Sequence, residues 1–344
     1  MPAGDATATT DEAFMAEATE LSCSVRRTTS PNPWVGCVVV SDEGEVVGRG
    51  ATEPPGGRHA EVVALDEAGP LARGAAAYVT LEPCCHHGRT PPCTGRLIEA
   101  GVARVVVGVL DPDPNVSGAG VAALREAGLR TTLGVLEGRV AEVLQPYLVH
   151  RRSGRPYVVL KLAVTLDGRI AAADGTSRFI TGPEARSDVH ELRAESDAVL
   201  VGAGTVRADD PELTVRPAGA STAPPLRQPL RVVLGRAPAR ARVRPALELS
   251  GDLRGVLDEL GRMGVLQLLV EGGATVAGEL HRLGLVDRYV VYVAPAVLGS
   301  AGVPMLAWSG AATMAEIWRG RLVGVRRLGE DVRLDVEPAE SLRQ

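Results

Sequence analysis

The sequence predicts an α/β protein built as two unlike domains in tandem. Three observations carry that prediction. Short valine-rich apolar runs alternate with helical stretches of about ten residues, the pattern of parallel strands joined by crossover helices. The alternation breaks once, at the polar stretch His150-Arg-Arg-Ser-Gly-Arg-Pro156, and restarts at Tyr157 with no internal repeat. The chain also has 344 residues, room for two cores at roughly 100–200 residues per domain.

In the first cycle, residues 1–10 are expected to be a disordered tail, and residues 11–28 have helical spacing with Asp11 as N-cap. Val35–Val40 and Val46–Val47 flank the turn Ser41-Asp-Glu-Gly-Glu45, a hairpin pattern. Helix 59–69, strand 76–82, helix 94–100, strand 104–110, helix 119–127, strand 129–135 and helix 137–149 follow. The second cycle reads as strand 157–164, helix 183–195, strand 197–203, strand 231–234, helix 252–262, strand 266–270 and helix 275–283. It closes with an apolar run at 289–298 and two strands near 320–336, while the Pro/Ala/Arg stretch 217–246 reads as an irregular surface excursion. The domains are therefore placed at 11–150 and 155–338.

Composition excludes several classes of function. The chain is 45% hydrophobic and 23% charged, with a formal charge of −5. That balance fills cores and disfavours a nucleic-acid polyanion as partner. No run approaches the ~18–20 apolar residues of a membrane helix, and MPAGDATATT lacks the basic start and apolar centre of a secretion signal. Five unevenly spaced cysteines do not make a disulfide framework. Together these predict a cytoplasmic protein in which clustered Cys and His serve metal or catalysis. Of 37 Lys plus Arg residues, Lys161 is the one lysine, and Asn32 and Asn115 are the only asparagines. An ammonium kept against an arginine background suggests a chemical role, because the two cations differ in shape and hydration.

The first constellation is His59-Ala60-Glu61 at a helix start, Pro83-Cys84 at a strand end, and Cys93. One imidazole and two thiolates leave a fourth tetrahedral position for water, as in a catalytic zinc site. Glu61 lies two residues beyond the histidine, placed to move protons rather than to ligate. The pattern H-A-E…P-C-x8-C departs from the general zinc-deaminase signature H-x-E…P-C-x-x-C in its longer loop. The competing reading is a closed structural knot using four of His59, Cys84, Cys85, His86, His87 and Cys93. It leaves Glu61 unexplained.

The strings HAEVVAL, TLEP and CCHHGRTPPC closely resemble the bifunctional riboflavin-biosynthesis deaminase–reductase family, as do Pro31-Asn-Pro-Trp-Val-Gly36 and Asp111-Pro-Asp-Pro114. The likeness spans about residues 11–336. It implies a cytidine-deaminase-like α/β/α domain that removes an amino group from a phosphorylated ribosylamino-pyrimidinone and releases ammonia. By this resemblance His59, Cys84 and Cys93 hold Zn2+ and Glu61 is the proton shuttle. Asn32, His86, Arg89 and Asp111 would contact substrate. Cys85, Asp113 and Thr52 depart from the usual Ser, Asn and His of the family.

The second constellation lies after Tyr157. Lys161-Leu-Ala-Val-Thr-Leu-Asp-Gly-Arg169 and Gly202-Ala-Gly-Thr-Val-Arg-Ala-Asp-Asp210 each leave a strand, and Glu271-Gly272-Gly273 follows a buried one. Arg207 stands where a dinucleotide G-x-G-x-x-G fingerprint needs its third glycine, so the segment reads as an anion-approaching Gly turn rather than a Rossmann motif. These segments resemble the second domain of the same family, which implies a dihydrofolate-reductase-like α/β fold using NADPH to reduce a ribosyl group to ribityl. On matching positions Ala163, Phe179, Thr205, Asp209 and the stretch Gly273, Ala274, Thr275, Val276, Ala277, Gly278 and Glu279 would line the cofactor. Lys161, Ser177, Arg193, Leu213, Arg216 and Glu271 would hold the substrate, with Asp209 or Lys161 relaying a proton. The resemblance further implies a small phosphorylated pyrimidine as partner and a homo-oligomer, dimer or tetramer. The rival function is a zinc deaminase of another nucleobase or RNA carrying a non-catalytic C-terminal binding module.

Overall fold

The computed structural model describes residues 5–85, 91–114, 116–216 and 227–339. They form two compact units, Met1–Gly154 and Arg155–Gln344.

The first unit is a sheet of β1 (Gly36–Val40), β2 (Val46–Ala51), β3 (Ala76–Leu81), β4 (Arg104–Val109) and β5 (Arg130–Leu133), ordered β2-β1-β3-β4-β5. The β1–β2 hairpin is antiparallel, and β3, β4 and β5 run parallel. All five residues of β1 are buried, consistent with a strand covered on both faces. Helices α1 (Asp5–Val25), α2 (Ala60–Ala68), α3 (Cys93–Glu99), α4 (Ala119–Glu126) and α5 (Glu137–Ser153) pack around the sheet. Close packing of α2 on β2 needs glycine: a Cβ at Gly48 would lie 2.1 Å from the Ala64 carbonyl oxygen, and one at Gly50 would lie 2.0 Å from that of Ala60.

Two expectations are corrected here. Helix α1 begins at Asp5, inside the segment expected to be a tail. Asp11 is therefore no cap. It lies within the helix, buried, accepting from Tyr78 Oη at 2.8 Å and from Arg104 at 3.0 and 2.6 Å. Helix α5 likewise continues through His150, Arg151 and Arg152, the start of the expected boundary. It ends where Gly154, at φ 75°, donates its N–H to the His150 carbonyl.

The second unit has an eight-stranded sheet of β6 (Tyr157–Thr165), β8 (Ala198–Gly202), β9 (Leu230–Leu234), β10 (Leu247–Leu249), β11 (Gln267–Val270), β12 (Arg288–Ala294), β14 (Gly320–Leu328) and β15 (Asp331–Pro338). Its order is β10-β9-β8-β11-β6-β12-β15-β14. Strands from β10 to β12 run parallel, and β15 and β14 add antiparallel pairs at one edge. A small pair, β7 (Arg169–Ala171) with β13 (Val303–Pro304), stands apart. Helices are α6 (Pro183–Ala194), α7 (Ala203–Asp209), α8 (Leu253–Arg262) and α9 (Ala274–Arg282). The amphipathic α8 buries Leu253, Val256, Leu257 and Leu260 against Leu160, Leu268 and Val270 of the sheet. Helix α7 replaces the expected Gly turn: Gly202 is extended, and the helix starts at the next residue.

Candidate active sites

In the first unit His59 is the N-cap of α2, held extended at φ −76° and ψ 158°. Its ring faces Cys84, just past the end of β3, and Cys93, the first residue of α3. Nδ1 lies 3.2 Å from Cys93 Sγ and 3.7 Å from Cys84 Sγ, and the three ligating atoms all lie within 4.8 Å of one another. The Cys93 backbone N–H reaches Cys84 Sγ at 3.4 Å. Hydrogen bonding from Cys93, then from His59, holds the Cys84 thiol far below its ordinary value against the opposing pull of burial. One imidazole nitrogen and two sulfurs, one of them readily a thiolate, make a donor set that suits zinc.

Among the described residues Cys85 lies outside that group. His86 and Arg89, expected to touch substrate, and His87 lie outside the described residues. Glu61 is 4% exposed. Burial first, and the Cys84 charge second, push its carboxyl up to about 7, between proton donor and acceptor near neutrality.

His59, Cys84 and Glu61 open into one cavity with Asn32, Thr52, Asp111 and Asp113, while Cys93 is buried behind it. Thr52 spends its hydroxyl on the Val35 backbone N–H at 3.0 Å. Sequence reasoning passed over three further lining residues. Glu82 accepts from the backbone N–H groups of Asp111, Gly118 and Val121 at 3.3, 2.9 and 3.1 Å, tying the end of β3 to the loop after β4. Tyr147 Oη donates to Asp111 Oδ2 at 2.9 Å, and Arg151 lies over the Tyr147 ring. Glu82 stands inside the string TLEP, where a buried carboxylate before Pro-Cys was the available signal. Tyr147 and Arg151 sit on a helix read only as a connector.

The second cavity forms at the carboxyl ends of β6, β8 and β11, where open parallel sheets place ligands. Lys161, Ala163, Ser177, Phe179, Arg193, Thr205, Asp209, Leu213, Glu271 and Gly273 all line it. Glu271 is the hub. Arg193 Nε and Nη2 donate to its two oxygens at 2.5 and 3.0 Å, and Lys161 Nζ lies 3.8 Å away. Burial lowers the affinity of Lys161 for its proton, with Glu271 opposing and Arg193 reinforcing the shift. Ser177 Oγ donates to Asp209 Oδ1 at 2.9 Å, and the Gly273 N–H donates to Thr205 Oγ1 at 3.1 Å. Phe179 is 73% exposed and carries the Arg186 guanidinium 4.5 Å from its ring centre.

Other expected contacts are placed elsewhere. Arg216 is exposed and pairs with Glu212 at 3.6 Å, outside the cavity lining. Beyond Gly273 the chain is α9, the helix its spacing predicts. Its residues Ala274, Thr275 and Val276 do not line the cavity, and Ala277 and Gly278 are buried. A Cβ at Gly278 would lie 2.5 Å from the Ala307 carbonyl oxygen. Glu279 points outward and pairs with Arg282 at 2.6 Å. Arg186, Thr181 and Pro211, which sequence reasoning did not single out, line the cavity instead.

Comparison with known proteins matches the same division. Residues 8–109 fit the cytidine and deoxycytidylate deaminase zinc-binding region, and residues 156–334 fit the RibD C-terminal domain. The riboflavin biosynthesis protein RibD of Escherichia coli is 41% identical over 359 residues, spanning 94% of this chain and 98% of that one. The Mycobacterium tuberculosis protein of the same name is 45% identical over 337 residues, spanning 95% and 96%. This chain belongs to the RibD family. Solved structures agree. RibD of Acinetobacter baumannii superposes with a TM-score of 0.91 at 39% identity, covering 97% of this chain and 100% of that one. A Thermotoga maritima deaminase/reductase gives 0.85 at 34%, also covering 97% and 100%. As in other RibD proteins, a zinc-dependent deaminase domain precedes an NADPH-using reductase domain. The RibD match spans both constellations, and the rival reading of the rear half as a non-catalytic module is not favoured. Among the described residues no helix is long and apolar enough to cross a membrane.

Proposed function

We propose that this chain carries out two consecutive steps of riboflavin biosynthesis. The first is hydrolytic deamination of 2,5-diamino-6-ribosylamino-4(3H)-pyrimidinone 5′-phosphate. The second is NADPH-dependent reduction of the ribosyl group of the product to ribityl. The observation that supports this most is that the His59, Cys84 and Cys93 cluster and the Lys161, Asp209 and Glu271 cavity occur in one chain matched over 94% of its length by a RibD relative.

His59, Cys84 and Cys93 would hold zinc, which when bound acidifies a water for attack on the amino-bearing carbon. Glu61 takes the proton released as the carbon–oxygen bond forms, and returns one to the departing nitrogen, which leaves as ammonia. Asn32 and Asp111 orient the ring. In the second unit NADPH supplies a hydride to the first ribose carbon, open as an imine. Glu271 fixes Arg193 and Lys161, while Asp209, oriented by Ser177, or Lys161 brings the proton to the imine nitrogen. We also infer that the protein works in the cytoplasm and forms homo-oligomers. Leu322 and Val325, each more than half exposed on the edge strand β14, support such assembly.

The test is metal content with product analysis on the purified chain. One equivalent of zinc, and ammonia released without NADPH, are expected; ribityl product should form only when NADPH is added. A chain without bound zinc, or ammonia release that depends on NADPH, would overturn the reading. Asp209→Ala is expected to cut NADPH oxidation by about 10²-fold or more while ammonia release continues. A parallel fall of both activities would place Asp209 in the support of the whole chain rather than in reduction.

A further inference from the structure

We propose that Tyr147 is a positioning residue of the deaminase site: its hydroxyl fixes the Asp111 carboxylate on the wall of the first cavity, in place to receive the substrate. The inference rests on the reading of that cavity as a deaminase site for a phosphorylated pyrimidine, in which Asp111 contacts the ligand.

Packing delivers the side chain to that place. Helix α5 buries Val140, Leu144, Tyr147 and Leu148, the stripe that a helix presents to a sheet. A Cβ at Gly108 of β4 would lie 2.9 Å from Val140 Cγ2, so the helix sits directly on the strand there. Tyr147 follows Val140 by two helical turns, roughly 10.5 Å of rise. Asp111 follows Gly108 along the extended chain by roughly 10 Å. Helix and strand therefore advance in step, and Tyr147 meets the carboxylate just past the end of β4.

Hydrogen bonding shows what the contact does. Tyr147 is buried, and its Oη donates to Asp111 Oδ2 at 2.9 Å, while the Asp113 N–H holds Oδ1 at 2.9 Å. The Asp113 bond closes within the loop after β4; the Tyr147 bond ties that loop to a helix 36 residues further on. A carboxylate offers about four acceptor sites, so both oxygens are oriented and room remains for a donor from the ligand. Burial first, then the Asp111 charge, hold the Tyr147 hydroxyl above its ordinary range, so it stays a donor. At Asp111 burial favours the neutral form, while the Asp113 N–H and then the Tyr147 hydroxyl favour the carboxylate; the Asp113 charge opposes them and Arg151 assists. Glu82 also faces this residue, accepting its backbone N–H at 3.3 Å. The Arg151 guanidinium lies 5.1 Å from the Tyr147 ring centre, a contact that steadies the ring from its face.

The experiment uses the full-length zinc-loaded enzyme and measures ammonia release from the phosphorylated pyrimidine. Tyr147→Phe removes one oxygen and is expected to raise KM about tenfold, with kcat within about threefold. In an Asp111→Ala background the same change should alter KM by less than about twofold, because the group through which it acts is gone. NADPH oxidation on the deaminated intermediate should be unchanged in each variant, which reports an intact chain. An unchanged KM for Tyr147→Phe, or losses that multiply in the double variant, would overturn the proposal. A fall in kcat alone would also overturn it, placing the hydroxyl on the reacting atoms. Should wild type not deaminate the compound, the substrate assignment fails separately. In that case, or where Asp111→Ala is too slow to assay, carboxyl-carbon NMR decides, with the Asp111 signal identified by its absence from Asp111→Ala. Tyr147→Phe is expected to move the titration of that signal up by about one pH unit, and no movement overturns the proposal.

Discussion

Glu61→Gln is expected to lower ammonia release by about 10²–10⁴-fold while zinc stays bound. The side chain is nearly fully buried one turn-start away from the His59 ligand, and its carboxyl is raised to about 7 by burial and by Cys84. Glutamine keeps the shape and the hydrogen-bonding oxygen but can neither take nor return a proton. Metal analysis beside the activity assay separates the outcomes. Loss of zinc with activity would make Glu61 a ligand, and activity retained within tenfold would take it out of proton transfer. NADPH oxidation on the deaminated intermediate should be untouched, because that chemistry belongs to the other unit.

Glu271→Gln is expected to have the largest effect in the second unit. Its carboxylate neutralises two cations whose side chains, like its own, are less than a fifth exposed: Arg193 at 12% and Lys161 at 18%. Removing one partner from a buried charged cluster leaves the others uncompensated, typically at about 3–5 kcal/mol. The variant should unfold at lower temperature and lose NADPH oxidation by about 10²-fold or more, with deamination retained. Unchanged thermal unfolding would mean that the cluster is more solvated than its burial indicates.

The same group has a pH signature. Burial alone would raise the Glu271 pKa, but the charge and hydrogen bonds of Arg193, then the Lys161 charge, hold it below the ordinary 4.5. A folded value below the unfolded one gives stability that is full above about pH 4.5 and is lost as pH falls through the lowered value. Acid unfolding of wild type should therefore steepen below about pH 4.5, and Glu271→Gln should show a shallower slope there. Equal slopes would assign the acid sensitivity to other carboxylates.

Much of this organisation was legible in the residues. Period and punctuation located the sheets and most helices, because valine runs such as Val105–Val107 and a helix such as α8 bury the faces their spacing implies. The metal trio was legible because soft ligands are rare and their spacing restrictive. What escaped has physical causes. Asp11 looks like a cap locally, yet its partners Tyr78 and Arg104 are 67 and 93 residues away. Gly202-Ala-Gly has the composition of a turn, but Ala203 and Val206 bury their side chains and hold a helix together. Glu82 and Tyr147 act through hydrogen bonds between segments distant in sequence, which no local pattern encodes. Residues 274–279 were assigned to the cofactor by likeness, while the close contact of Gly278 with the Ala307 backbone turns part of that segment inward.

The glycine seam between β2 and α2 has a further consequence. Since neither Gly48 nor Gly50 leaves room for even a methyl group, the helix that bears the acid and is capped by the imidazole residue sits directly against the β2 main chain. The backbone scaffold thereby helps to set where the metal ligands stand. A stripped enzyme is therefore expected to keep its fold and to take zinc back without refolding, which circular dichroism before and after chelation checks; loss of helix signal on stripping would overturn it.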